Sequence, residues 1–280
     1  MHDRTALGPA DVTDEHLASM AANVLGLDPA RTSLLDSCAE VVPYDLPAIT
    51  TAGRYWVHGH VTTGNGALPF RLFVKHVQSW GRSPFFALVP EEFRAMAEAS
   101  VPWRTEPLVY RSDLGDRLPP GLSMPRALAV VDLDEKSAAV WLEEVEDEAV
   151  EWDLARYADA ATLLGRLAVS ARVAQRAGVG GHPFHIRDYL RGRLGMQVLP
   201  MLHDEDLWRH PLVAAAFDAG LRDRLLGAAD LVADHVEELA ALPLATGHGD
   251  ACPNNLLVRR GEEGFVLIRP LRPSRRPGPG

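Results

Sequence analysis

The chain has 280 residues, 47% of them hydrophobic and 24% charged, and a formal net charge of −10. That composition fits a soluble globular protein of one large domain or two lobes. Apolar runs stay well short of the ~18 residues that would suggest a membrane span. So acidic a chain repels a phosphate backbone, which argues against a nucleic-acid partner.

The N-terminus carries mixed charge with no apolar segment behind it, so no signal peptide is expected and the cytoplasm is the expected compartment. Cys38 and Cys252 lie far apart without metal-type spacing and read as reduced thiols. Nothing in the composition points to a protein partner.

In chain order, Thr13 followed by Asp14 and Glu15 reads as a helix start: a hydroxyl cap, then acids at the positive end of the macrodipole. The helix should end at Gly26, and a stretch punctuated by Pro43 and Pro47 follows. Residues 1–40 therefore read as an N-terminal helical extension. From Arg54 to Gln78 the pattern changes. RYWVHGHVT and FRLFVKHVQ are rich in aromatic and β-branched residues, and TGNGALP between them makes a β-hairpin. Helical signals return at residues 90–100, and ALAVVDL with AAVWLEEV forms a second hairpin turning at Asp134-Glu135-Lys136.

After Glu151 the chain becomes helical. Leu154, Tyr157, Ala158, Ala161, Leu164 and Ala168 recur at helical spacing, a core-facing stripe. Further helices are expected near residues 186–198 and 212–241. A sheet-rich half followed by a helical half is an α+β arrangement of two lobes, with the crossover near residues 143–151.

One segment concentrates polar side chains between stretches fit for burial: ATGHGDACPNNLLV, residues 245–258. His248, Asp250 and Asn255 fit H-x-D-x-x-x-x-N. Phosphoryl transfer uses a carboxylate to orient and deprotonate the attacking hydroxyl, and an amide oxygen farther on to hold magnesium against the phosphates. A histidine two residues before the carboxylate would brace the loop, and Pro253 would stiffen the turn. The following NLLVRR and GFVLI read as a strand pair turning at residues 261–264.

A nucleotide also needs a cation. Alternation in FRLFVKHVQ places Lys75 with Phe73 and Val77 on one face, and Leu72, Val74 and His76 on the other. Both faces are largely apolar, so the strand is central and Lys75 enclosed. An enclosed lysine needs an anion. Glu106 is the candidate, with Glu91 or Glu92 behind it. For a phosphate-covering loop, ITTAGRYW offers only Gly53 and the hydroxyls of Thr50 and Thr51, a weak signal that a plain turn explains equally well.

The stretches LFVKHV, WRTEPLVYRSDLGDRLPPGLSMPRALAV, VWLEEVED, YADAATLLGRL and HGDACPNNLLV make the chain resemble the aminoglycoside phosphotransferase and choline kinase-like family, over roughly residues 45–268. The resemblance implies a two-lobed protein-kinase-like fold with ATP or GTP and Mg2+ as cofactors. The acceptor would be a hydroxyl of a small molecule, amine-bearing or otherwise. It implies a nucleotide-binding lobe over residues 41–147 and a helical lobe with the catalytic loop over 148–268.

Carried over position by position, Lys75 contacts the phosphates and Glu106 pairs with it. Residues 143–146, with Glu143, Glu144 and Val145, form the hinge beside the adenine. Asp250 is the base, braced by His248, and Asn255 is a magnesium ligand. The acids Glu143, Glu144, Glu146, Asp147 and Glu148 suit a cationic acceptor or, more simply, a solvated connector.

The chain departs from the family where GFVLI should be followed by a metal-binding aspartate, because Arg269 and Pro270 stand there. The tail at residues 269–280, RPLRPSRRPGPG, has a composition that cannot bury a core and reads as disordered. An interrupted reading frame is the preferred explanation, beside an evolved pseudokinase and a functional tail. Either way the helical lobe is expected to be incomplete, phosphoryl transfer impaired and apolar helix faces exposed. A metal-dependent hydrolase on His248 and Asp250 would need further ligands, for which His182 and His185, at i, i+3, are the candidate pair.

Overall fold

The structure, a computed structural model, describes residues 2–43, 48–64, 66–176, 179, 190–216, 218–242, 244–261, 263–268 and 272–275. The first half is built around a six-stranded sheet in the order β1-β2-β3-β4-β7-β6. Its strands are β1 His2–Asp3, β2 Ser33–Val41, β3 Thr51–Thr62, β4 Ala67–Gln78, β6 Ala127–Asp134 and β7 Ser137–Glu143, all antiparallel to their neighbours except β1. The sequence-predicted hairpins are β3–β4 and β6–β7. The second turns where the Lys136 N–H donates to Asp134 Oδ1 at 2.7 Å.

Register fixes which side chains share a face. Arg54 lies opposite Lys75, Trp56 opposite Phe73 and Val57 opposite Leu72. Because side chains alternate along a strand, Val57, Val61, Leu72 and Val74 point one way and Trp56, Phe73 and Lys75 the other. The first face is covered by α1, Asp14–Leu25, in a core of Leu17, Met20 and Ala21 against Val57, Leu72, Val74 and Trp141. Each fully buried Leu or Val there contributes roughly 1.5–3 kcal/mol. Thr13 caps α1, its Oγ1 accepting from the His16 N–H at 3.3 Å, and Gly26 ends the helix in the left-handed conformation at φ 68°. On the second face, Tyr110 of α3, Thr105–Arg111, packs with Val140, Leu142 and Phe73. Preceding it is α2, Arg94–Ser100.

The second half joins α4, Leu154–Val169, and α5, Ala171–Ala174, to a three-stranded sheet of order β5-β10-β9. Those strands are β5 Leu122–Ser123, β9 Leu256–Leu257 and β10 Phe265–Leu267. Leu114, Leu122, Ala160, Leu167, Val173, Leu256 and Phe265 form their shared core. A π-helical stretch at Leu190–Val198 is followed by helices Leu199–His203, Glu205–Arg209, Pro211–Ala216, Ala219–Asp230 and Val232–Ala241. A strand β8, Leu244–Gly247, then leads into the polar loop. A sheet-rich half followed by a helical half is the two-lobed α+β arrangement that the sequence implied.

Several details differ from the sequence reading. Residues 33–40, assigned to a helical extension, belong to strand β2, which pairs along β3 and brings the N-terminal segment into the sheet. The expected core stripe of α4 is rotated. Ala160 and Leu167 are buried and Leu163 and Leu164 half-buried, while Leu154 is 86% and Tyr157 50% exposed. The helix docks through its C-terminal half, where Leu163 lies against Gly121. The single helical region expected at 212–241 is divided, with Asp218 capping one helix and Leu231 separating the next. Part of the helix expected at 186–198, residues 186–189, lies outside the described residues. Within the stretch expected to lack structure, the backbone of residues 272–275 forms β11, antiparallel to β8 with Arg272 opposite Gly247.

Candidate nucleotide and catalytic site

Lys75 sits on β4, between β3 and β7, and is only 7% exposed. Burial of an ammonium among Phe73, Val77 and Val140 would be prohibitive alone. The first turn of α3 answers it: Lys75 Nζ donates to Glu106 Oε2 at 2.5 Å, and Glu106 is itself 8% exposed. Sheet and helix thus meet through one buried ion pair between the two residues that the sequence reading joined. Glu91 and Glu92, the alternatives, are exposed in a 3-10 turn.

The polar loop leaves β8 at Gly247, turns through Gly249 at φ 80°, and re-enters the core at β9 through a 3-10 turn, Pro253–Asn255. Asp250 is exposed, whereas His248 and Asn255 are buried at 3% and 5%. The Asp250 N–H donates to His248 Nδ1 at 3.3 Å, which leaves the ring proton of a neutral imidazole on Nε2. The Asp250 carbonyl accepts from Asn255 Nδ2 at 2.7 Å and from the Cys252 N–H at 3.0 Å. Ile268, after β10, donates to the Asn255 carbonyl at 3.3 Å. His248 and Asn255 therefore hold the backbone on both sides of one carboxylate, which is presented outward on a braced loop.

The segment expected beside the adenine is held by ion pairs. The Glu143 carboxylate lies between Arg126 at 3.4 Å and Arg259 at 3.3 Å, and Glu144 pairs with Arg71 at 2.8 Å. Arg71 stacks over Trp56 at 3.9 Å from the ring centre, and Trp56 meets Phe73 edge-on at 5.1 Å. Val145 is half-buried. The backbone beyond it joins the hairpin after the polar loop: Glu148 N–H donates to Val258 and Arg260 N–H to Glu146, at 2.8 and 2.9 Å.

The sequence reading missed Arg71, Arg126 and Arg259. Only Arg71 left a trace, since alternation in FRLFVKHVQ puts it on the Lys75 face. A cavity of about 150 Å³ lies against the paired strands β5 and β10, lined by Gly121, Ser123, Arg259 and Phe265 among others. No residue of the 248–255 loop lines it.

Magnesium needs about six oxygen ligands, several from water and phosphate. Asn255, its amide nitrogen turned into the Asp250 carbonyl, leaves Oδ1 as the oxygen it can offer beside the Asp250 carboxylate. Among the described residues no three His, Cys, Asp or Glu side chains group to hold a metal ion, so any magnesium here would take most of its ligands from water and phosphate. Arg269, His182 and His185 lie outside the described residues. Among the described residues, no helix is long and apolar enough to cross a membrane.

No family model and no curated protein matches the chain. Among solved structures, the chain is similar to a protein of Haemophilus somnus 129PT given the provisional name fructosamine-3-kinase. The two are 10% identical, with a TM-score of 0.39 over 91% of this chain and 70% of that one.

Proposed function

We propose that the chain is a phosphotransferase-type nucleotide-binding protein resembling the aminoglycoside phosphotransferase and choline kinase-like family. It would carry the γ-phosphate of ATP or GTP, with Mg2+, to a hydroxyl of a small, amine-bearing or otherwise hydroxylated molecule. The observation that carries this reading is the buried Lys75–Glu106 pair, built in a chain whose braced loop also presents one exposed carboxylate. In it, Lys75 neutralises phosphate charge, Glu106 aims the ammonium, and Asp250 orients the acceptor hydroxyl and takes its proton. Asn255 contributes one oxygen toward the metal, and the backbone around Val145 borders the base.

The same reading holds transfer to be slow, because Arg269 stands where the family's metal-binding aspartate belongs and a guanidinium coordinates no cation. A non-catalytic nucleotide-binding role is the second reading, favoured by Arg269 at that position.

Melting the chain with ATP, with and without magnesium, tests the binding half. ATP should raise the melting temperature of the wild type, and Lys75→Met should abolish the rise. Single-turnover assays with labelled ATP and a panel of aminoglycosides and hydroxylated amines test the chemistry. Asp250→Asn, at an exposed position, should keep the shift and lose any transfer. A wild type indifferent to ATP would refute both readings, and turnover matching that of an intact relative would refute the impairment.

A further inference from the structure

The Lys75–Glu106 pair uses one oxygen of the carboxylate. The other, Glu106 Oε1, is buried and has no hydrogen-bond partner. One turn along the same helix, the hydroxyl of Tyr110 is also buried without a partner. Residues four apart on a helix are neighbours on one face, with Cβ atoms roughly 5–6 Å apart. The Tyr110 ring packs against Phe73 and Val140. Phe73 lies two residues from Lys75 on the same face of β4, and Val140 is the residue opposite Lys75 on β7. A phenol donor and a carboxylate acceptor are thus both enclosed on the sheet face that carries Lys75, each lacking what the other offers.

Leaving two such groups unsatisfied is costly, and buried polar atoms of this kind are ordinarily joined by protein or by an internal water. The hydroxyl is held in its protonated, donating form: burial pushes the phenol well above its usual range, and the nearby Glu106 charge adds to the rise.

We infer that Tyr110 is a third member of this site, a positioning residue whose hydroxyl donates through one enclosed water to Glu106 Oε1. The carboxylate is then held from both sides, Oε2 on the lysine and Oε1 on the water, and cannot swing away when phosphate competes for the ammonium. The inference rests on the phosphotransferase reading for its consequence, though not for its geometry.

The test uses the full chain labelled with 13Cζ-tyrosine, with Tyr110 assigned by the signal lost in Tyr110→Phe. The expected result is a Tyr110 hydroxyl proton exchanging slowly enough to give a resolved isotope shift at Cζ in mixed H2O and D2O. Glu106→Gln should move that resonance. Tyr110→Phe, which keeps the ring, should weaken ATP binding about fivefold, the worth of one such hydrogen bond. A freely exchanging hydroxyl, a resonance indifferent to Glu106→Gln, or a Tyr110→Phe chain that melts above wild type would each overturn the proposal. A wild type that binds no ATP would sink the phosphotransferase reading instead, leaving the spectrum to decide this one.

Discussion

Replacing Lys75 by Met asks what the buried pair contributes to the fold. At 2.5 Å and an effective dielectric of about 20, the gross attraction is about 7 kcal/mol. The side chains are 9% and 10% exposed, so each ion has given up most of its hydration, at several kcal/mol apiece. Attraction and desolvation therefore nearly cancel, and the pair adds little net stability.

Removing one partner does not cancel, because it strands the other charge in the core. Lys75→Met or Glu106→Leu alone should each cost about 3–5 kcal/mol. The double variant, apolar on both sides and similar in volume, should return to within about 1 kcal/mol of wild type. Urea unfolding followed by circular dichroism reads all four corners of the cycle. Single variants within about 1 kcal/mol of wild type, or a double variant as unstable as the sum, would refute the reasoning. The expected pattern means that stability alone does not require the ions, which is what a site kept for a ligand should show.

Three further outcomes follow from local geometry. Asp134, hydrogen-bonded by Arg82, the Lys136 N–H and Ser137, has its carboxyl lowered to about 2. A depressed carboxyl stabilises the fold above its unfolded value near 3.8 and loses that contribution as pH falls toward 2. The melting-temperature gap between wild type and Arg82→Ala should therefore hold above about pH 4 and narrow toward pH 2; a constant gap would count against it. Gly264→Ala should cost at least about 2 kcal/mol in urea unfolding. Its backbone sits at φ 97°, and the added methyl would lie 2.1 Å from the Gly121 carbonyl oxygen. Asp153→Ala removes the cap that accepts from the Arg156 N–H at 2.8 Å, and should cost about 1 kcal/mol by the same assay.

What could be read in advance was whatever a short stretch decides locally. Alternation in FRLFVKHVQ implies an enclosed lysine because both faces of that strand are apolar, and Lys75 is 7% exposed. The cap at Thr13, the stop at Gly26 and the turn at Asp134 each involve only a few neighbouring residues, and all three form. Strand β2 escaped notice because SLLDSCAEV carries one β-branched residue and draws its order from pairing along β3. The rotated face of α4 has a similar origin. Two overlapping apolar stripes share Leu164, and only docking against residues near Gly121 selects the one through Ala160 and Leu167. The arginines on the connector come from residues 71, 126 and 259, separations over which no local pattern operates.

Those arginines bear on the acceptor. As a sequence, the acids from Glu143 to Glu148 form a block of negative charge suited to drawing in an amine. In the fold, Arg126 and Arg259 converge on Glu143 and Arg71 on Glu144, so the first two carboxylates are spent on holding the connector. Glu146, Asp147 and Glu148 remain exposed at its far end, where the backbone is pinned to residues 258–260. Exposed charges act through a solvent that screens them within about 8 Å at physiological salt. They can raise the local concentration of a cation, but they form no enclosed site that selects one. In the proposed reaction, selection among acceptors would then come from groups near the outward-facing Asp250, where the acceptor hydroxyl would lie for its proton to be taken.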